Sequence, residues 1–321
     1  MLNDPVLLND WHVVARSEDV RNDRAYPARL LMEDLVLWRC SNEIKAWRDL
    51  CVHRGTRLSL GWIKQETLTC PYHGWTYDHE GRCVRIPANP DQNPPSTAKV
   101  KTYHAKERYG LVWVCLGEPG NDVPEIPEFK NPEDTTIFCG PYLYKASGPR
   151  AIENFLDVAH FPFVHEGLLG DRKHAEIADY EPVIEPDGVT AKSISAWQPD
   201  PDGTGHSAVV TYTYRVLRPL TAYLTKESDE NHYNLLMTVT PVDEVDSIAW
   251  MLIATNYGYD KVEQLRHFQD KIVSQDIPVV ESQRPELLPL DLQAELHLRS
   301  DRMSIAYRKW LSEIGLTFGT R

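Results

Sequence analysis

The sequence predicts an α+β protein, with an all-β domain followed by a larger α+β domain. Three observations carry that prediction. Short apolar runs separated by three to five turn residues fill the first third, long alternating runs fill the middle, and helical periodicity takes over near the end. Between the first two lies GEPGNDVPEIPEFKNPEDTT, residues 117–136, whose four prolines and cluster of acids suit neither a helix nor a central strand. We read residues 1–118 as the first domain, 119–135 as a linker and 136–321 as the second domain.

In the first domain, LVLWR (35–39) and IKAWRDL (44–50) flank the turn-like Ser41-Asn42-Glu43. WTYD and RCVRI flank His79-Glu80-Gly81, and Gly110–Leu116 closes the domain. This spacing predicts an antiparallel sheet. In the second domain, Pro186-Asp187-Gly188 and Pro201-Asp202-Gly203 are turn signals. Residues 207–217, 234–242 and 248–257 alternate well enough to be long antiparallel strands. Val262, Leu265, Phe268, Ile272 and Val279 then mark one face of a helix. A final helix is expected to carry Leu292, Leu296, Met303, Tyr307, Trp310 and Ile314 at spacings of three, four or seven.

Composition narrows the function classes. The chain is 42% hydrophobic and 25% charged, ordinary for a globular protein. No apolar run approaches the ~18 residues of a spanning helix, so no membrane association is expected. The N-terminal MLNDPVLLND lacks the basic and apolar regions of a secretory signal. Six cysteines in 321 residues do not make a disulfide scaffold, so a reducing, cytoplasmic setting is expected. The net charge of -13 argues against nucleic-acid binding. Residues 1–118 carry 16 basic against 15 acidic side chains, whereas residues 119–321 carry 18 against 32. The acidic second half favours a neutral or cationic small molecule as substrate.

One motif is specific. In CVHRGTRLSLGWIKQETLTCPYHGW (51–75), Cys51-x-His53 and Cys70-x2-His73 each offer one thiolate and one imidazole. Two chemistries use two cysteines and two histidines. One is a structural zinc site, although zinc-finger order usually groups the cysteines in one arm. The other is a Rieske [2Fe–2S] cluster, with two Cys on one iron and two His on the other. Pro71, Gly55 and Gly74 suit tight loops around a cluster. Cys40, Cys83, Cys115 and Cys139 have no ligand spacing and read as strand-borne thiols.

The second domain opens with NFLDVAHFPFVH (154–165), a mostly apolar segment holding a carboxylate and two histidines. Unpaired buried carboxylates cost several kcal/mol, so Asp157 needs a partner. Asp157 and His160, three apart, are expected on one helix face, and Pro162 is expected to break the helix so that His165 swings back toward His160. Two histidines and a carboxylate make the facial triad of non-haem Fe(II) sites. Asp276, four residues after Ile272 and three before Val279, sits in an apolar stripe. It is either the third ligand or a salt-bridged Asp near the helix end at Pro278. The other histidines lack such spacing.

On these motifs the chain resembles the Rieske-type non-haem iron oxygenases, as an α-only catalytic subunit. Trp11 to about Leu116 resembles their Rieske domain, and N-x2-D-x2-H-x4-H with a late helical Asp resembles their catalytic domain. Tyr72 and Trp75 stand where respiratory Rieske proteins carry a cysteine and a serine, which implies fewer hydrogen bonds to sulfur and a lower potential. The resemblance implies a helix-grip second domain with a long antiparallel sheet. It implies Cys51, His53, Cys70 and His73 as cluster ligands, and His160, His165 and Asp276 as ligands of a mononuclear Fe(II). Asn154 would lie beside the iron. In a head-to-tail homotrimer, Asp157 would bridge His160 and a neighbouring subunit's cluster histidine, His73.

The implied chemistry uses O2, with electrons passed from NAD(P)H through a flavin reductase, a ferredoxin, or both. Arg54 and Arg57 read either as guides for an acidic redox partner or as solvated arginines. Short family members of this kind are mostly hydroxylases and O- or N-demethylases. Aromatic cis-dihydroxylation is the rival reaction, and an electron-transfer ferredoxin or a zinc-stabilised binding module the rival classes.

Overall fold

Two-residue turns set the register of the first half. In the computed structural model, which describes residues 4–321 apart from 132, 202–205, 229, 230 and 259, the chain forms two compact units that divide between Val123 and Pro124. The first unit begins with a one-turn helix, α1 (Pro5–Leu8). Ten strands follow: β1 (His12–Arg16), β2 (Tyr26–Leu30), β3 (Glu33–Cys40), β4 (Glu43–Arg48), β5 (Trp62–Lys64), β6 (Thr67–Thr69), β7 (Thr76–Tyr77), β8 (Cys83–Arg85), β9 (Thr102–Arg108) and β10 (Leu111–Cys115). They make a six-stranded sheet in the order β1-β10-β9-β4-β3-β2 and a four-stranded sheet β5-β6-β7-β8.

Four hairpins, β2–β3, β3–β4, β5–β6 and β9–β10, close through residue pairs with positive φ: Leu31-Met32, Ser41-Asn42, Gln65-Glu66 and Tyr109-Gly110. Positive φ at both positions gives the primed turn that matches strand twist. Asn42 and Gly110 are the residues expected there; Leu31-Met32 is not. Trp38 and Trp47 meet edge to face at 4.9 Å in a core shared with Cys51, Cys70 and Tyr77. The cluster-type loops thus grow directly from packed strands.

The second unit is built on a seven-stranded sheet in the order β11-β17-β16-β15-β14-β13-β12, with every pairing antiparallel. Its strands are β11 (Thr135–Tyr144), β12 (Pro182–Glu185), β13 (Gly188–Gln198), β14 (Ala208–Arg218), β15 (Thr221–Ser228), β16 (Asn231–Pro241) and β17 (Ser247–Thr255). The turn expected at Pro186-Asp187 joins β12 to β13. The turn expected at Pro201-Asp202-Gly203 falls mostly outside the described residues. Helices α2 (Gly148–Leu156), α3 (Phe161–Val164), α4 (Val262–Ser282) and α5 (Arg302–Glu313) complete the unit. Helix α4 lies against β11, α2 against β16, and α5 against β12 and β13. This is an α+β fold. Among the described residues no helix is long and apolar enough to cross a membrane.

Two local expectations are corrected. The final helix does not reach back to Leu292. It begins at Arg302, after Asp301 Oδ2 takes the N–H of Leu298, and Leu296 is 87% exposed. The spacing of Leu292 and Leu296 from Met303 therefore carries no packing. Asp157 and His160 do not share a helix face either, because α2 stops at Leu156 with Asp157 as its C-cap.

Candidate metal centres and substrate cavity

The loops holding Cys51-x-His53 and Cys70-x2-His73 are built alike. Each first cysteine donates its N–H five residues ahead, Cys51 to Thr56 O and Cys70 to Trp75 O, both at 2.8 Å. Each accepts back from a glycine four residues on, Gly55 at 2.9 Å and Gly74 at 3.1 Å. Those glycines have φ of 71° and 70°, a region open to glycine at little cost. Two equivalent knuckles therefore face one another, with the His53 and His73 rings 4.5 Å apart.

The surroundings fit a cluster. Both cysteines are buried, and the Cys51 and Cys70 thiols are near enough to interact. Burial raises the Cys70 thiol pKa, so a thiolate here needs a cation. His53 Nδ1 is buried without a hydrogen-bond partner. Trp75 stacks flat on the His53 ring at 4.4 Å, and Tyr72 leans over His73 at 3.9 Å. The Tyr77 hydroxyl lies 3.1 Å from Cys51 Sγ, a sulfur hydrogen bond that the loop pattern alone does not reveal. Arg57 is paired with Asp34 at 2.9 Å, and Arg54 is exposed. The remaining four cysteines are buried, unpaired thiols.

In the second unit, α3 is a single turn with His160 as its N-cap and His165 as its C-cap. Pro162 starts that turn, and the break before it lets the two imidazoles converge. Their Nε2 atoms are 3.2 Å apart. From behind, His160 Nδ1 donates to Asp157 Oδ2 at 3.2 Å and His165 Nδ1 donates to Gln275 Oε1 at 2.9 Å. Donation at Nδ1 fixes the tautomer, so both neutral rings turn a lone pair inward at Nε2.

Asp276, on α4, closes the group. That helix runs through Pro278 to Ser282, and so Asp276 is not a helix-end residue. Its Oδ1 lies 3.1 Å from His165 Nε2 and 3.4 Å from His160 Nε2, yet makes no hydrogen bond of good geometry. One ligand atom from each of His160, His165 and Asp276 falls within 4.8 Å of the others. With both rings neutral, two lone pairs and a carboxylate oxygen converge in a buried place and repel one another unless a cation, a proton or a metal ion, lies between them. Burial opposes charge on His160, but the Asp157 and Asp276 carboxylates outweigh it and raise its pKa to about 9. Burial would likewise raise Asp276, yet His160 and His165 hold it below the usual carboxylate range. The donor set suits a mononuclear iron with open positions.

These three groups stand in the wall of a cavity of about 300 Å³. Asn154, on α2, lines it as well. So do Leu168 and Leu169 after His165, and Tyr212, Tyr214 and Tyr233 from the sheet. Gln275 and Tyr214 have no signature in the sequence. Gln275 acts through a contact 110 residues away, and Tyr214 is one aromatic in a run of alternating ones.

Comparison with known proteins agrees with this geometry. Residues 10–104 match the Rieske [2Fe-2S] domain family and residues 144–316 the vanillate O-demethylase oxygenase C-terminal domain family. The methylxanthine N1-demethylase NdmA of Pseudomonas putida is 33% identical over 318 residues, 95% of this chain and 88% of NdmA. The methylxanthine N3-demethylase NdmB of the same organism is 31% identical, over 96% of this chain and 89% of NdmB. The structure of Pseudomonas putida CBB5 NdmA with caffeine superposes with a TM-score of 0.83 at 30% identity, covering 96% of this chain and 91% of that one. The oxidoreductase NdmD of Pseudomonas putida is 40% identical over 114 residues, 35% of this chain and 19% of NdmD. The chain belongs to the Rieske non-haem iron oxygenases, as a catalytic component with a [2Fe–2S] domain and a mononuclear iron domain.

Proposed function

We propose that this oxygenase removes a methyl group from a ring nitrogen of a planar, uncharged heteroaromatic molecule. The observation that carries this is the aromatic-lined cavity with His160, His165 and Asp276 in its wall. A flat cavity partner stacks well on such side chains. The names of the relatives, methylxanthine demethylases, agree with it. In the balanced reaction an N-methyl group, O2, two electrons and two protons give the ring N–H, formaldehyde and water.

In this reading Cys51 and Cys70 hold one cluster iron and His53 and His73 the other, while His160, His165 and Asp276 hold the mononuclear iron. When bound, the two centres supply electron delivery and O2 activation. The residues of the chain do the rest. Asp157 fixes the His160 ring with Oδ2 and takes the Ala159 N–H on Oδ1 at 2.8 Å. Its side chain keeps 32% exposure, which leaves room for a second imidazole, the cluster histidine of a neighbouring subunit in a head-to-tail trimer. Asn154 borders the cavity beside the iron ligands. Electrons come from NAD(P)H through a separate flavin reductase or ferredoxin, and the four thiols left outside the cluster, none in a disulfide, fit a cytoplasmic setting.

The test is product analysis. The cluster- and iron-loaded enzyme, a flavin reductase and NADH are supplied with caffeine or theobromine, and formaldehyde is measured against O2 consumed. Formaldehyde in near one-to-one ratio is expected. Substrate-stimulated NADH oxidation giving a ring diol, or no formaldehyde from any N-methylated heterocycle, contradicts the reading.

A further inference from the structure

The two knuckles are alike inside but closed differently at the base. Behind the second, Thr69 and Thr76 pair across β6 and β7, and their hydroxyls meet at 3.2 Å. A strand ladder thus holds the chain entering Cys70 against the chain leaving Trp75. The first knuckle has no such ladder among the described residues. Strand β4 ends at Arg48, and the chain leaving the knuckle enters a single 3-10 turn, Leu58–Leu60. A side chain does the work of the ladder. Asp49 Oδ1 accepts the Ser59 N–H at 2.7 Å, and Asp49 Oδ2 accepts the Ser59 hydroxyl at 2.6 Å. The Asp49 N–H is itself anchored on the Asp34 carbonyl of β3 at 2.8 Å. Asp49 is 3% exposed, and among the described residues no lysine or arginine pairs with it. A carboxylate resists burial without a cation, so packing alone does not account for it.

The same turn reaches the other knuckle. A Cβ on Gly61, the residue that ends the turn, would fall 2.1 Å from the Thr69 carbonyl oxygen and 3.0 Å from that of Leu58. Gly61 has a φ of -85°, which any residue adopts, so the close approach to β6 is what requires glycine here. Thr69 directly precedes Cys70. The turn is therefore a strut, with Ser59 clamped to the chain entering Cys51 and Gly61 pressed on the chain entering Cys70.

We infer that Asp49 is a positioning residue for the cluster: by clamping Ser59 it closes the first knuckle and, through the turn to Gly61, sets the spacing between the two ligand pairs. The inference rests on the assignment of Cys51, His53, Cys70 and His73 as cluster ligands and adds what holds them in register. Each knuckle offers one thiolate and one imidazole, and the cluster takes one cysteine and one histidine from each. A shift of one knuckle against the other therefore strains the bonds to both irons.

The test uses the loaded enzyme with Asp49→Ala, Asp49→Asn, Ser59→Ala and Gly61→Ala. It follows the loss of visible cluster absorbance under a ferrous chelator and the EPR spectrum of the reduced cluster. Asp49→Ala removes the clamp, so the absorbance should decay about 10–100-fold faster than in the parent, with shifted g-values. Asp49→Asn can still accept the Ser59 N–H and donate to the Ser59 hydroxyl oxygen, so it should keep the parent's spectrum and a decay rate within about threefold. Ser59→Ala keeps one of the two bonds and should fall between, which decides the matter if Asp49→Ala does not fold. Gly61→Ala leaves the clamp intact but should shift the g-values by pushing the turn off β6. A general loss of stability does not move the g-values of the clusters that remain. Asp49→Ala and Ser59→Ala with the parent's decay and spectrum, an unchanged spectrum in Gly61→Ala, or Asp49→Asn behaving as Asp49→Ala overturns the inference alone. A parent without acid-labile sulfide overturns the cluster assignment with it.

Discussion

The Nε2 atoms of His160 and His165 face each other at 3.2 Å, and each ring is held from behind by a different acceptor, Asp157 for one and Gln275 for the other. The arrangement places two lone pairs against Asp276 and leaves them without a protein donor. Which acceptor holds which ring decides how each replacement should act.

Gln275 holds the buried His165 ring by a neutral contact. Replacing it by leucine removes that acceptor and frees the tautomer, so iron affinity at this centre should fall about 10–100-fold while the cluster spectrum is unchanged. Gln275→Glu keeps an acceptor and should keep most of the affinity. Iron titration by competition with a chelator measures this; equal affinities for the parent and Gln275→Leu would show that the contact is incidental.

Asp157 lies behind His160 and is partly exposed. Asp157→Asn keeps the size of the side chain but loses its charge. Both metal centres should remain filled while coupled turnover drops about a hundredfold. Metal analysis alongside stopped-flow reoxidation of the cluster decides it. Loss of iron with unchanged electron transfer would make Asp157 a support for the ligand and nothing more.

The hydroxyl of Tyr77 lies 3.1 Å from the sulfur of Cys51 and, with Cys51 bound to the cluster as a thiolate, would donate to it. Reduction adds negative charge to the cluster, so a donor stabilises the reduced form and raises the potential. Tyr77→Phe should therefore lower it, and a differential of about 1.4 kcal/mol corresponds to about 59 mV for one electron. Protein-film voltammetry reads the shift directly. A potential that stays or rises contradicts the role.

Arg308 holds α5 to α2 through Glu153, at 2.5 and 2.8 Å, and also binds Glu295 at 2.5 Å. Its side chain is 3% exposed and that of Glu153 10% exposed. Arg308→Met leaves the buried Glu153 carboxylate with only the looser Arg150 pair at 3.6 Å and should cost up to about 3–5 kcal/mol in denaturant unfolding. Glu153→Met in the same chain should recover most of that, because Arg150 keeps Glu295 at 2.9 Å. A single-variant loss below about 1 kcal/mol would mean that the charges are solvated after all.

What the sequence reveals and what it hides follow from how far each contact reaches. The two knuckles around Cys51 and Cys70 are closed by hydrogen bonds spanning four or five residues, and so their spacing is visible in a linear reading. His160 and His165 flank one turn and are visible for the same reason. Asp276 shows because a carboxylate interrupts an apolar stripe. Gln275 does not show, since a polar residue beside it on a half-exposed helix has many ordinary explanations. Leu31-Met32 forms a primed turn with neither glycine nor asparagine, because the strands on both sides impose the geometry. The last helix does not reach back to Leu292, because Leu292 is only half-buried and Leu296 is exposed, so their spacing marks no packed face. Periodicity predicts a face only where something packs on it.

The central claim is that His160, His165 and Asp276 hold an iron separate from the cluster. Counting iron and acid-labile sulfide per chain in the parent and in Asp276→Ala tests it most directly. Three irons and two sulfides are expected for the parent, falling to two irons with two sulfides and an intact Rieske spectrum in the variant. Two irons in the parent, or three retained in Asp276→Ala, would contradict it.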